Sequence, residues 1–141
     1  MDIVQIIRFL WNKKKLIDIC KYHIDRYELR NPRITTPTCK YYLLQEIKRR
    51  IDNDKENSAE LNHGTNWLKL AHANLADASF DLLVSGQFHS YYGELNTMSC
   101  GGNLRFVYRC SMEWAVENHF ISQEECDEQI EYLHKSISEN G

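Results

Sequence analysis

The sequence has little proline and glycine, with only 2 and 6 of these residues in 141. A chain this poor in both is neither collagen-like nor a low-complexity linker, and its 43% of hydrophobic residues excludes an intrinsically disordered protein. It also lacks an internal repeat. Since 141 residues suffice to bury one sizeable core, we predict a single globular domain over residues 1–141.

Cysteine is present in a pattern that does not indicate disulfides. The five cysteines are an odd number at irregular spacings, and no two form a C-x-x-C pair. Thiols that stay reduced are typical of a cytoplasmic protein. The lysines at 13–15 follow the first apolar stretch instead of preceding it, the reverse of the order in a signal peptide. We therefore expect a cytoplasmic location.

Long hydrophobic runs are also missing. The most apolar window, residues 67–84, is interrupted by Lys69, Asp77 and Asp81, three charges that a bilayer core would not accept. The same window is apolar almost all round at helical spacing, which is typical of a helix buried on most sides. We expect it to be a central helix of the fold, and we expect no membrane partner.

Helical periodicity dominates the rest of the chain. A stripe of isoleucines from Ile3 and a second stripe from Leu16 face different directions, which predicts a bend or break near residues 12–15. Thr36-Pro37 is a helix start signal. Residues 52–62 are polar without a clear period and favour a mobile loop. The pattern predicts an all-α bundle of about five to seven helices.

The segment from Leu104 to Trp114 is ambiguous, because its apolar residues alternate as in a strand and also recur at helical spacing. The alternative fold is therefore α+β with a strand near 104–114. No comparably strong second strand exists to pair with it, so we favour a helix capped by Asn103. Ser122 and Glu125 form a capping box, which predicts a tight hairpin with a last helix.

Charge is unevenly distributed. Residues 1–51 hold twelve Lys and Arg against five Asp and Glu, a net charge of +7, and the remainder carries −10. The acidic C-terminal hairpin predicts a non-catalytic protein-binding module of the inhibitor, immunity or adaptor type, which would attract a basic partner by charge complementarity. The residues expected to bind the partner are Glu124, Glu125, Glu128 and Glu131.

The basic N-terminal third supports an alternative function. It interleaves cations with tyrosines, a combination that can bind phosphates and stack on unpaired bases. The nucleic-acid-binding residues would be Lys13, Lys14, Lys48, Arg49 and Arg50. Two further arrangements remain open at this point, since two copies could pair as a homodimer, or the basic third could pack against the acidic remainder.

Candidate chemistry is sparse. Glu60-x-x-His63 and Glu131-x-x-His134 have the spacing used in carboxylate-bridged di-iron bundles, which makes a metal enzyme a remote alternative. Cys20-x-x-His23 supplies only two of the four ligands of a structural zinc. Cys100 precedes two glycines in an expected loop, beside a helix start that could lower its pKa. Glu and His often fall three residues apart by chance, and nothing in the sequence brings a histidine base near Cys100, so we expect no metal, no cofactor and no catalytic residue.

Overall fold

The computed structural model describes residues 1–30, 37–85 and 97–140, and within these ranges it contains six helices and no strand. In chain order they are α1 (Ile3–Arg30), α2 (Pro37–Asn53), α3 (Lys55–Glu60), α4 (Trp67–Val84), α5 (Thr97–Glu117) and α6 (Gln123–Asn140). The predicted all-α bundle is confirmed. Helix α2 begins at Pro37 as expected, while Thr36, its predicted N-cap, lies outside the described residues.

Helix α4 is the centre of the bundle, as its apolar composition predicts. It packs against α1, α2, α5 and α6, most extensively against α5. Ala71, Leu75 and Ala78 are fully buried, and the small alanine side chains let neighbouring helices approach closely. The helix starts at Asn66, whose side-chain oxygen accepts a hydrogen bond of 3.0 Å from the backbone N–H of Lys69.

Helix α1 is one uninterrupted helix of 28 residues, so of the predicted bend or break near residues 12–15, a break is wrong. Its core face buries every third or fourth side chain from Phe9 to Tyr27. The first stripe, from Ile3, points into solvent instead of the core, and a continuous helix can therefore carry both stripes. Asp2 caps the helix reciprocally with Gln5, at 2.8 Å and 3.0 Å.

The polar segment 52–62 contains helix α3, so the predicted mobile loop is also wrong. Ala59 is buried against the core, and the side-chain amide of Asn12 in α1 donates a hydrogen bond to the carbonyl of Ser58. These contacts with α1 explain why a segment without an apolar stripe is helical. One small side chain and one hydrogen bond are too little to produce a periodic signal in the sequence.

Helix α5 resolves the ambiguity between helix and strand. Val107, Tyr108 and Ser111 are buried at helical spacing against α4, which supports the favoured prediction of a helix. The helix begins earlier than expected, at Thr97, so residues 100–102 are helical instead of a loop and Asn103 is not the N-cap. Two glycines cost a helix about 2 kcal/mol, which packing of the following turns on α4 offsets.

A tight turn joins α5 to α6. His119 has a positive φ of 62°, and the N–H groups of His119 and Phe120 return to the carbonyls of Val116 and Ala115, the pattern of a Schellman motif. Helix α6 then lies on α4 and α5 and contacts none of the described parts of α1, α2 and α3. The predicted helical hairpin is therefore present, with α6 on the outside of the bundle.

Candidate protein-binding surfaces

The acidic side chains predicted to bind a partner lie on the solvent side of α6. Glu124, Glu128 and Glu131 are exposed, and their spacing of four and three residues places them on one side of the helix. None of the three forms an ion pair with the residues that the structure describes. Lys135 follows one turn later. We call Glu124, Glu128 and Glu131 the acidic stripe, which extends about 10 Å along α6.

Glu125, the fourth residue predicted for this surface, has a structural role. Its backbone N–H donates to the hydroxyl of Ser122 at 3.0 Å, and that hydroxyl lies 3.3 Å from its carboxylate. The N-cap half of the expected capping box is thus formed, whereas the Glu125 carboxylate accepts from the hydroxyl of Ser122 instead of its backbone N–H. Since Glu125 lies about a quarter turn away from Glu124 around the helix, it borders the acidic stripe without belonging to it.

The lysines predicted to bind nucleic acid are largely paired with carboxylates of the same chain. The ammonium group of Lys13 lies 2.7 Å from Asp52 at the end of α2, and that of Lys14 lies 3.3 Å from Asp18 one turn along α1. Lys48 is half-buried and makes no ion pair among the described residues. Two of these three lysines are therefore paired, but only Lys13 pairs with the acidic remainder of the chain, since Asp18 belongs to the basic region itself.

The two arginines of the same group are also paired. Arg49 donates to Glu46 one turn earlier in α2 at 3.0 Å. Arg50 bridges α2 to α4, donating to Asp81 and, at 3.2 Å, to Asp77. Burial raises the pKa of Asp77, and the neighbouring guanidinium of Arg50 opposes that rise. The contacts of Arg50 hold α2 on α4, and both arginines already have carboxylate partners where a phosphate would otherwise bind.

The two Glu-x-x-His pairs do not come together. Glu60 ends α3 and His63 lies in the turn that follows, whereas Glu131 and His134 are on α6, which does not touch α3. Over residues 1–30, 37–85 and 97–140, no group of three or more His, Cys, Asp or Glu side chains could hold a metal ion. The spacing in the sequence therefore reflects two separate surface positions.

The thiols are mostly buried side chains. Cys20 is fully enclosed and donates to the carbonyl of Ala71 at 3.8 Å, and burial raises the pKa of its thiol to about 12. The thiolate, which is the form that acts as nucleophile or metal ligand, is strongly disfavoured there. Cys110 and Cys126 are likewise buried and form no disulfide. The side chain of Cys100 lies outside the described residues.

A buried aromatic cluster lies where α1, α4 and α5 meet. His72 is only 3% exposed, its Nδ1 lies 2.9 Å from the hydroxyl of Tyr27, and its ring stacks on Trp114 at 4.1 Å. The ring of His23 is 4.3 Å away. Burial, and then the charge of His23, lower the pKa of His72 to about 4. Its position inside the apolar window of α4 is the sequence signal for this core role.

A second surface, which the sequence analysis did not identify, lies on the first three turns of α1. Ile3, Ile7 and Trp11 are 74%, 63% and 61% exposed, and Leu10 is similarly uncovered. We call this the outer face of α1. The isoleucine stripe from Ile3 was its signal in the sequence, but we interpreted the change of direction as a break in the helix because apolar stripes are usually buried.

Comparison with known proteins finds no matching family model, no significantly similar curated protein and no significantly similar solved structure. Among the helices of the described residues, none is both long and apolar enough to cross a membrane.

Proposed function

We propose that this chain is a non-catalytic protein-binding module of the inhibitor, immunity or adaptor type, and that the acidic stripe binds a basic protein partner. The observation that supports this proposal is the difference in pairing between the two charged regions. Glu124, Glu128 and Glu131 remain exposed and unpaired among the described residues, whereas four of the five candidate nucleic-acid-binding cations already have carboxylate partners.

The packing of α6 gives the stripe a fixed geometry. Cys126 and Leu133 are almost fully buried on the opposite side of the helix, and they anchor it to the bundle. Carboxylates on an anchored helix lose little freedom when a partner binds, and their field can steer a basic partner toward them. Electrostatic complementarity of this kind chiefly increases the association rate and the specificity.

Nucleic-acid binding is less well supported. A phosphate backbone would have to compete with Asp52 for Lys13 and with Asp77 for Arg50. Each such competition gives up an existing ion pair, so the counterion release that drives binding to nucleic acid would be partly cancelled. Lys48 is the one candidate in this group for which the described residues offer no carboxylate partner.

The test is affinity capture from native cells with the variant Glu124→Lys/Glu131→Lys. A matched control is Glu56→Lys/Glu60→Lys, which makes the same charge change at two exposed positions of α3. Wild type and control should retain one stoichiometric protein after nuclease treatment, and the stripe variant should lose it. The retained complex should also weaken as the salt concentration rises, because the stripe is exposed to solvent.

Two outcomes would contradict the proposal. One is a captured protein that the stripe variant retains as strongly as the control. The other is a yield that disappears with nuclease, particularly if Lys48→Glu also abolishes it. The second result would support the nucleic-acid alternative.

A further inference from the structure

The first half of α1 carries apolar side chains on two opposite sides. Ile7 lies half a turn from Leu16 around the helix axis, because nine residues make two and a half turns. Leu16 is buried in the core, and Ile7 is exposed. The outer face ends abruptly, since Lys14 and Asp18 occupy the same side in the next turns. A solvated helix would continue this polar pattern up to its N-terminus.

The area of the outer face matches that of a protein interface. Its six large side chains are about half to three-quarters exposed, namely Met1, Ile3, Val4, Ile7, Leu10 and Trp11. Together they expose roughly 700 Å² of mostly apolar surface, which approaches what one partner contributes to a standard interface and exceeds the largest patch on a typical monomer.

Trp11 is held in place at the edge of this face. Its ring meets that of Trp67 edge-on, with the ring centroids 6.4 Å apart. The ammonium group of Lys15 lies 5.0 Å from the ring centroid of Trp11 and 4.3 Å from that of Trp67. Leu68, exposed beside them, extends the apolar area. An aromatic side chain that is already ordered is a typical hot spot of an interface, because little entropy is lost when a partner covers it.

We infer that the outer face of α1 is an interface between two copies of this chain. Ile3, Ile7 and Leu10 have the alternating spacing of four and three residues that forms the seam of a two-helix coiled coil. A two-fold pair covers the same patch on both copies at once, and the patch is large enough for a stable dimer. This inference is independent of the proposed function, because α1 and α6 do not touch among the described residues.

Charge determines the orientation of the pair. In a parallel pair, the Lys14 side chains of both copies would lie side by side at the outer face and repel each other. In an antiparallel pair with Ile7 of one copy beside Leu10 of the other, Lys14 lies beside Ile3 of the second copy, at the helix end that carries the exposed Asp2. The Lys14 side chains are then at opposite ends of the interface, so the pair is antiparallel.

Sedimentation equilibrium of the purified full chain tests the interface. Wild type should be dimeric at concentrations up to about 200 μM, since interfaces of about standard size have dissociation constants in the micromolar range or below. Ile7→Glu/Leu10→Glu should weaken the dimer by about 100-fold or more, because it buries unpaired charge. Tyr41→Glu is the matched control, since Tyr41 is a comparably exposed aromatic residue on α2. Circular dichroism checks that each variant is folded.

A zero-length carboxyl-to-amine cross-linker tests the orientation. Within one helix Asp2 and Lys14 are separated by twelve residues, about 18 Å, so a cross-link between them can form only between copies. The antiparallel pair should give Asp2–Lys14 or Asp2–Lys15 links in the dimer fraction, and a dimer without them would refute this orientation. Wild type that stays monomeric to 200 μM would overturn the inference, as would a dimer unaffected by Ile7→Glu/Leu10→Glu. Monomers that instead sediment with anionic lipid vesicles would overturn it too.

Discussion

Replacing His72 with glutamine should reduce the amount by which the free energy of unfolding of this protein falls as the pH is lowered. His72 lies in the aromatic cluster, where burial and the nearby His23 lower its pKa from 6.5 to about 4. The folded state therefore keeps His72 neutral at pH values where the unfolded chain protonates it. Between pH 6.5 and 4 the unfolded state binds more protons, so the free energy of unfolding must fall as the pH falls.

The magnitude follows from the two pKa values. One pKa unit corresponds to about 1.4 kcal/mol, so His72 alone should remove about 2 kcal/mol of stability between pH 7 and pH 5. His23 contributes in the same direction, because burial and Arg26 lower its pKa as well. A domain of this size is stable by only about 5–15 kcal/mol, so the effect is large enough to measure.

The assay is urea unfolding of wild type and His72→Gln at pH 7 and at pH 5. Glutamine also removes the stacking on Trp114, so the variant should be less stable at pH 7. The informative quantity is the difference in free energy of unfolding between wild type and variant. This difference should be about 2 kcal/mol smaller at pH 5 than at pH 7, because only wild type has this histidine to protonate. His63→Gln, at an exposed position, is the control and should keep the slope of wild type.

A direct measurement can refute this reasoning. The imidazole Cε1 resonance of His72, followed by NMR, should titrate well below pH 6. A titration midpoint near pH 6.5 would show that burial does not lower the pKa of His72. So would a difference in free energy of unfolding between wild type and His72→Gln that is the same at pH 7 and pH 5.

Three further substitutions probe the packing. Asn12→Ala should lower the free energy of unfolding in urea by about 2 kcal/mol, since the carbonyl of Ser58 loses its donor; an unchanged value would contradict the α1 contact that explains α3. His119→Gly should raise it by about 1 kcal/mol, because glycine tolerates a positive φ; a loss would count against the turn geometry. Arg50→Met should lower the melting temperature and cost about 1 kcal/mol, whereas Arg49→Met, which breaks a pair within one helix, should hardly change it.

The features that could be predicted from the sequence are those set by neighbouring residues. The N-cap bond between Ser122 and Glu125 involves residues three apart, and the apolar window of α4 is evident directly from the composition. The acidic stripe follows from helical spacing once α6 is predicted. Helix α3 could not be predicted, because its stability depends on Asn12, 46 residues from Ser58 in sequence.

The ion pairs of the lysines and arginines could not be predicted from the sequence for the same reason. Lys13 and Asp52 are 39 residues apart, and Arg50 and Asp81 are 31 apart. A net charge of +7 over residues 1–51 therefore overstates the basic surface that a partner meets. The exposure of the outer face of α1 could not be predicted for another reason. Apolar periodicity indicates a helix, but it does not indicate which apolar stripe packs in the core.

The outer position of α6 has a consequence for synthesis of the chain. Because α6 contacts only α4 and α5 among the described helices, the assembly of α1 to α4 on one another does not require it. Translation proceeds from the N-terminus, and domains begin to form as their parts emerge. The side of α5 that bears Tyr108, whose hydroxyl donates to the carbonyl of Gln129 in α6 at 3.5 Å, is covered only when α6 packs. A ribosome that stalls before α6 would leave that side open to chaperones.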